Sequence, residues 1–291
     1  MYQNKLLAQG GVMEKIEMYH IEYEKPKVTL LQQSGLGVAE IAARTCYDSF
    51  DNSENECIKN AMEHLDTDAI NNIDDSDLLA NLAWVHHHHS IIEHATLSFL
   101  VQGTSRGVLQ EHARHRLQAI SVRSTRYTMS SVINAFVASI ESNDGFAFFL
   151  EKVLALNLFV VTDEKYLAIE IKAMYDKLQF QYERDTDFLK NAIAKSSLPF
   201  IEECKGDAQT LFEAFQMGKK KRNVGDGFKH IVSDNWKVDM VVTFNIRSLK
   251  NYFDLRDSGA AWFQIQWLAQ AMKNVTPVKY LKLIDKEYKN A

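Results

Sequence analysis

Residues 238–256, VDMVVTFNIRSLKNYFDLR, constrain the fold most, because a strand runs directly into a helix there. VDMVVTFN is typical of a β-strand, and IRSLKNYFDLR is typical of a helix. A second strand is predicted at 95–101, where Leu97, Phe99 and Val101 alternate with other residues. Strands and helices interspersed in this way, without an internal repeat, predict a single α+β domain.

Helices account for most of the remaining pattern. Leu167, Ile171, Met174 and Leu178 recur at helical spacing and are predicted to be core residues. The polar stretch GKKKRNVGDG is predicted to be a loop, and it lacks the residue order of a P-loop. The predicted helical ranges are 37–48, 75–89, 105–116, most of 146–217, and 259–273.

Composition narrows the class of protein. Hydrophobic residues make up 46% and charged residues 24%, which is typical of a globular domain. The sequence contains no run of about eighteen apolar residues, so no membrane-spanning helix is predicted. The net charge of −5 does not favour a general nucleic-acid binder. Cys46, Cys57 and Cys204 form no CxxC pair, so a cytoplasmic location is predicted. Residues 1–12 lack a secretory signal and are interpreted as a possible leader before a domain at 13–291.

The segment WVHHHHSIIEHA at 84–95 raises the possibility of a metal site. The inverted zinc pattern H-x-x-E-H needs a histidine at position 90, which is Ser90. A histidine-dependent metal hydrolase is therefore only a minor alternative. The histidines are predicted to form the last turn of the 75–89 helix, where positive charge suits the helix dipole.

An arginine-rich window at 106–126 contrasts with the acidic chain. It holds five arginines and two histidines against one acid, Glu111. A local excess of arginine favours a phosphate or another anionic ligand. The alternative is a solvated helix face.

Four motifs, in order, identify a resemblance. They are AARTCY at 42–47, HHSIIEH at 88–94, RHR at 114–116 followed after seven residues by STRY, and NIRSLKNYFDLR at 245–256. Together they resemble the signature of the flavin-dependent thymidylate synthases. The resemblance covers about 37–130 and 230–285, and the helix-rich stretch 131–229 has no clear counterpart.

The resemblance implies a fold and an activity. The fold is a single domain with a central, mostly antiparallel sheet flanked by helices. The activity is reductive methylation of dUMP to dTMP, with 5,10-methylenetetrahydrofolate as carbon donor and FAD, reduced by NADPH, as hydride carrier. A homotetramer with shared active sites is implied, with no metal, nucleic acid or membrane partner.

The resemblance also implies roles for individual residues. Arg256 is the expected catalytic residue, favouring ionisation of the uracil N3. Ser124, Thr125 and Arg126 are expected to hold dUMP from a neighbouring subunit. The residues expected to bind dUMP are Glu111, Arg114, Arg123, Ser124, Thr125, Arg126 and Arg256. The residues expected to bind FAD are His88, Ser90, Glu93, Arg114, His115, Arg116, Asn245, Arg247 and Asn251.

Helical geometry bears on the last of these motifs. Arg247 and Asn251 share a helix face, whereas Arg256 lies roughly 180° from Arg247 on a straight helix. One face therefore cannot present all three to one ligand. Two explanations remain open: separate ligands for the pair and for Arg256, or a helix that ends near Leu255.

The sequence departs from the commoner family pattern at several positions. Glu111 stands where glutamine is frequent, Val122-Arg123 replaces a Glu-Gln pair, and Ala260 replaces a histidine. Lys229 or His230 is a candidate substitute for an arginine that precedes the late strand. These departures favour one alternative function, a flavin- or nucleotide-binding protein without synthase activity. The cysteine-dependent mechanism of the other thymidylate synthase family is rejected, because no cysteine has a Pro-Cys-His setting.

Overall fold

The computed structural model describes residues 21–140, 142–193 and 228–289. Contacts divide the chain into two compact units. The sheet unit comprises Lys25–Arg123 and Lys237–Ala291, and the helical unit comprises Met1–Glu24 and Ser124–Trp236. The possible leader at 1–12, the predicted loop at 218–227 and Cys204 lie outside the described residues. The prediction of one domain over 13–291 stays a prediction.

A four-stranded antiparallel sheet organises the sheet unit, as predicted. The two longest strands, β2 and β4, lie side by side at its centre, and the strand order is β1-β2-β4-β3. Leu97, Phe99 and Val101 are fully buried on one face of β2, as their alternation predicted. The strands are β1 (Lys27–Gln33), β2 (Thr96–Ser105), β3 (Gln118–Val122) and β4 (Lys237–Asn245).

Helices cover the buried face of this sheet. In the sheet unit they are α1 (Gly37–Tyr47), α2 (Glu56–Lys59), α3 (Thr67–Asn71), α4 (Asp77–Trp84), α5 (Arg106–His112), α9 (Ile246–Arg256), α10 (Phe263–Val275) and α11 (Val278–Ile284). The helical unit contains α6 (Thr125–Ile140), α7 (Gly145–Ala155) and α8 (Glu164–Ile193). Short 3-10 turns lie at Phe50–Asn52, Ile91–His94 and Lys229–Ile231.

Helix α9 fixes the orientation of the later site residues. Its buried face carries Ile246, Leu249, Tyr252 and Phe253, which recur every three or four residues and join the core formed with β2 and β4. Packing this stripe against the sheet turns the opposite side of α9 outwards. The polar residues of the late motif are therefore presented on the surface of the unit.

The helical unit has a core of its own. Ile171, Met174 and Leu178 of α8 are buried against Phe136 of α6 and Phe149 of α7, and Leu167 is buried with them. The prediction that the four α8 residues are core is confirmed. Among the described residues, no helix is long and apolar enough to cross a membrane.

The histidine run does not continue helix α4, so the prediction of a helix over 75–89 is wrong at its end. The helix ends at Trp84, and His87 adopts a left-handed conformation with φ of 54°. The backbone N–H of His88 then donates to the carbonyl of Leu82 over 2.9 Å. Because a left-handed residue does not continue a right-handed helix, His88 and His89 lie beyond the end of α4.

Two other predictions need correction. The helix expected over 105–116 ends at His112, so the RHR residues lie in a loop. Strand β3, which follows that loop, was not predicted, because only its first and third residues are even partly buried. Such a weak alternation gives little signal for a strand.

Candidate active site

A cleft of about 720 Å³ opens on the surface of the sheet unit. Two segments supply most of its lining: the loop between α5 and β3, and the outward side of α9. Its volume lies within the usual range for small-molecule sites. The lining residues are Glu93, Arg114, His115, Arg116, Leu117, Arg247, Ser248, Asn251, Leu255 and Arg256.

The loop at 113–117 brings three consecutive basic residues to the cleft. Arg114, His115 and Arg116 are all lining residues, and their predicted contacts with FAD, and of Arg114 with dUMP, stay predictions. The loop begins where α5 ends at His112 and stops where β3 begins at Gln118. The Gln118 side chain closes it by donating from Nε2 to the His112 carbonyl over 3.0 Å.

Helix α9 contributes the second group of polar residues. Asn245 precedes the helix as its N-cap, and its Oδ1 accepts from the backbone N–H of Ser248 over 2.7 Å. Arg247 donates to Glu93 in an exposed ion pair at the edge of the cleft. The structure thus gives Asn245 a capping contact, and its predicted FAD contact stays a prediction.

Arg256 is the last residue of α9, and it lines the same cleft as Arg247 and Asn251. The helix therefore ends one residue beyond Leu255. The cleft continues around this last turn, so all three side chains reach it despite the angular separation of Arg247 and Arg256. Which ligand each one binds stays a prediction.

Arg256 is held in place by two residues of the facing segment. Its Nε–H donates to His115 Nε2 over 2.9 Å, and its Nη1 donates to Glu111 Oε2 over 2.9 Å. Only 19% of its side chain is exposed. The partly buried ion pair orients the guanidinium in a fixed direction beside the cleft.

These contacts define the protonation state of His115. Because an arginine N–H can only donate, His115 Nε2 must accept, and the neutral ring carries its proton on Nδ1. Burial, together with the positive charge of Arg256, lowers the pKa of His115. His115 is therefore a neutral hydrogen-bonding group at neutral pH.

A buried cluster behind the loop was not predicted from the sequence. His112 is completely buried, and its Nδ1 lies 3.0 Å from the hydroxyl of Tyr252, which is also completely buried. Burial, followed by the charge of His115, lowers the pKa of His112 to about 4. Burial raises the pKa of Tyr252. No motif marks either residue, because the bond joins positions 140 residues apart.

The histidine run meets the cleft only through Glu93. His88 and Ser90, which were predicted to contact FAD, do not line it. The Nδ1 of His88 instead lies 2.7 Å from the Tyr47 hydroxyl, and the two rings stack. Within the described ranges, no three His, Cys, Asp or Glu residues come together in a way that suits a metal ion.

The residues predicted to bind the dUMP phosphate fall into both units. Arg123, at the end of the sheet unit, donates to Asp239 over 3.2 Å, and 57% of its side chain is exposed. Ser124, Thr125 and Arg126 belong to the helical unit at the start of α6, where the Nε of Arg126 donates to Ser124 Oγ over 3.1 Å. None of the four lines the cleft of the sheet unit, and their binding role stays a prediction.

The other positions at which the sequence departs from the family pattern lie outside the cleft. Ala260 is exposed between α9 and α10, so a side chain there would meet solvent. Lys229 and His230 are exposed in a 3-10 turn of the helical unit. Cys46 is exposed on α1 and Cys57 is half-buried on α2.

The donor set of the cleft suits an anionic ligand with several acceptors. Four arginines line it against one glutamate, and His115 and Asn251 add neutral donors. Arginine forks match phosphate oxygens, and cationic donors stabilise the negative charge of a reduced flavin ring. The residues present therefore fit FAD.

Comparison with known proteins agrees with this donor set. The family model described as thymidylate synthase complementing protein matches residues 29–278. Proteins named flavin-dependent thymidylate synthase are similar to this chain: one from Helicobacter pylori is 27% identical over 252 residues, covering 86% of this chain and 93% of its own. One from Wolinella succinogenes is 26% identical over 266 residues, covering 89% and 98%.

A solved structure supports the fold. The crystal structure of thymidylate synthase X from Helicobacter pylori, with FAD and dUMP, matches with a TM-score of 0.57 and 24% identity, covering 91% of this chain and all of that one. The family match spans most of the chain, including the loop at 113–117 and helix α9 that build the cleft. The chain therefore belongs to the thymidylate synthase complementing protein family, the flavin-dependent thymidylate synthases that its motifs predicted.

Proposed function

We propose that this protein methylates dUMP to dTMP, using 5,10-methylenetetrahydrofolate as carbon donor and FAD reduced by NADPH. The observation that carries the proposal is the convergence of the RHR loop and helix α9 on one arginine-rich cleft. Two relatives that this chain matches over 93% and 98% of their own length are named flavin-dependent thymidylate synthase, and this supports the proposal.

The overall reaction balances with these components and one proton from solvent. The C5–H of uracil loses its proton, the methylene carbon of the folate forms a bond to C5 as its two bonds to the folate nitrogens break, and a hydride completes the methyl group. The C5 proton and the solvent proton go to the two folate nitrogens. Tetrahydrofolate and NADP⁺ are the other products. FAD, when bound, supplies that hydride after NADPH has reduced it.

Arg114, His115 and Arg116 form the proposed flavin side of the cleft. The two guanidiniums bind negative charge on the reduced ring or on the pyrophosphate. His115, neutral with its proton on Nδ1, donates a hydrogen bond without adding a further charge. Arg247 and Asn251 hold the same cofactor from the outward side of α9.

Arg256 is the proposed catalytic residue. Its guanidinium is fixed by Glu111 and His115, so a uracil ring placed against it meets a preorganised positive charge. Negative charge that develops at N3 as C5 attacks the carbon donor is stabilised there. Glu111 accepts from Arg256 and so keeps it aligned, while its carboxylate opposes the charge of a nearby phosphate.

The oligomeric state and the residues that bind the nucleotide remain part of the proposal. By family resemblance, Ser124, Thr125 and Arg126 bind dUMP as part of a neighbouring subunit in a homotetramer. Arg123 joins them on release from Asp239, because its exposed ion pair is only weakly stabilising. Mass measurement in solution tests the tetramer. A cytoplasmic location also stays a prediction.

The first test is the visible absorption spectrum of purified protein loaded with FAD, recorded before and after dUMP is added. A flavin spectrum that dUMP perturbs would support one shared site. Protein that cannot be reconstituted with FAD would refute the proposal. Formation of dTMP, measured with all co-substrates, then tests the activity itself.

The alternative is a flavin- or nucleotide-binding protein without synthase activity. Glu111 favours it, because by family resemblance a glutamine is frequent at this position and a carboxylate opposes the negative charge of a nucleotide phosphate. Protein that binds FAD and dUMP but forms no dTMP would support this alternative. In that case Glu111→Gln is the informative variant, because it removes the charge and keeps the shape.

A further inference from the structure

Three side chains connect the two segments that build the cleft, of which His112 and Tyr252 are buried and Gln118 is partly buried. His112 ends α5, Gln118 begins β3, and Tyr252 lies on α9 between Asn251 and the core. Gln118 bonds the His112 carbonyl, so it ties together the two ends of the RHR loop. His112 bonds the Tyr252 hydroxyl, so the loop is tied to α9.

The hydroxyl of Tyr252 determines which group donates in its hydrogen bond with His112. Tyr252 stays protonated when buried, and a buried hydroxyl proton needs an acceptor. His112 Nδ1, at 3.0 Å, is that acceptor, so the proton of the neutral imidazole lies on Nε2. His112 Nε2 and Gln118 Oε1 are both buried without a hydrogen-bond partner. The Nε2–H of His112 needs an acceptor, and Gln118 Oε1 needs a donor.

The ring of Tyr252 adds a second link to the cleft. It packs edge-on against His115, with ring centroids 4.8 Å apart, and edge-on against His112 at 5.1 Å. His115 in turn accepts from Arg256. A change at the Tyr252 hydroxyl is therefore two contacts away from the proposed catalytic guanidinium.

We propose that His112, Gln118 and Tyr252 form a positioning clamp that holds the RHR loop against α9 in the geometry that binds FAD. In this clamp Tyr252 donates to His112 Nδ1, and Gln118 Nε2 donates to the His112 carbonyl. The inference rests on the proposed function of the cleft. None of the three residues lines the cleft, so their effect on the cofactor is exerted through His115 and Arg256.

The test compares two buried tyrosines of the sheet unit. Tyr252→Phe removes the clamp hydroxyl and keeps the ring, and we expect the Kd for FAD to rise about tenfold, the equivalent of one buried hydrogen bond. Tyr280→Phe is the matched control, because Tyr280 is equally buried and donates to the Ser34 carbonyl, away from the cleft. Tyr280→Phe should lower the Tm and leave the Kd for FAD unchanged.

Two substitutions at His112 supply a rescue experiment. His112→Asn keeps a polar group near the position of Nδ1, whereas His112→Leu removes it. We expect His112→Asn to retain FAD affinity within about threefold of the wild type and His112→Leu to lose about tenfold or more. Tm values measured without FAD separate this effect from general destabilisation.

The outcomes distinguish the clamp from the proposed function. Wild-type protein that binds no FAD refutes the proposed function. Wild-type protein that binds FAD, with Tyr252→Phe and Tyr280→Phe both at the wild-type Kd, refutes the clamp alone. Equal loss of affinity in both tyrosine variants also refutes it, because a hydroxyl away from the cleft would then matter equally.

Discussion

Mild acid should destabilise this protein, and His112 should account for much of the loss. Burial lowers the pKa of His112 from 6.5 to about 4, with contributions from His115 and Arg256 that oppose a second positive charge. As the pH falls below 6.5, the unfolded chain takes up a proton at this histidine and the folded chain does not. Folded-state stability is therefore lost as the pH falls from 6.5 towards 4, and it is fully present above 6.5.

The size of the effect follows from the same interval. Each pH unit in the window costs about 1.4 kcal/mol, so His112 contributes about 3 kcal/mol over the whole interval and about 2 kcal/mol between pH 7 and pH 5. The titratable and charged groups that act on this histidine are His115 from its own segment and Arg256 from α9, with Tyr252 and Gln118 as its hydrogen-bonding neighbours. The pKa of His115 is also lowered, which adds to the loss in the same direction.

Urea unfolding of wild type and His112→Asn between pH 7 and pH 5 measures this contribution. The variant should lose about 2 kcal/mol less than the wild type over that range, whatever its stability at pH 7. Ile246→Val, at a fully buried apolar position of α9, is the control and should lower the free energy of unfolding by about 1 kcal/mol at every pH. Parallel pH curves for the wild type and His112→Asn would refute the reasoning.

Three substitutions test the proposed chemistry of the cleft. Arg256→Ala should lower the kcat for dTMP formation at least about a hundredfold while the protein still binds FAD, because transition-state charge loses its fixed partner; near-normal turnover would remove Arg256 from the catalytic role. Ser124→Ala should raise the Kd for dUMP about tenfold with turnover still measurable; complete loss of turnover at unchanged dUMP affinity would contradict this. Glu111→Gln should lower the Kd for dUMP severalfold, since the carboxylate that is proposed to oppose the phosphate is removed; weaker dUMP binding in a titration would show that the charge itself is needed.

Local pattern predicted helix α9 to the residue, because its apolar side chains recur at helical spacing against a sheet that leaves one face buried. The same approach missed β3, whose short sequence QAISV pairs with β4 at the edge of the described sheet and buries little. It also extended helix α4 beyond Trp84, where the helix ends. The helix dipole favours histidines either in the last turn of the helix or just beyond it. The left-handed conformation of His87 shows that the run lies beyond it.

The motifs singled out Arg114, His115, Arg116 and Arg256 because their residue types and order are characteristic, and the structure brings all four to one cleft. Their ligand contacts stay predictions. His112 and Tyr252 were missed because each, taken alone, is an ordinary buried residue. Their importance arises from one hydrogen bond across 140 positions, which no local pattern can indicate.

Charge in the cleft links its stability to its ligands. Four arginines line it with one glutamate, although the whole chain has a net charge of −5. The exposed pair of Arg247 with Glu93 offsets little of this repulsion. Positive charges held together lower the stability of the free protein, and an anionic ligand that neutralises them binds only the folded state and raises it. The arginines that weaken the free cleft thus suit it to phosphate-bearing ligands, and the proposed clamp behind them holds that unfavourable arrangement in place.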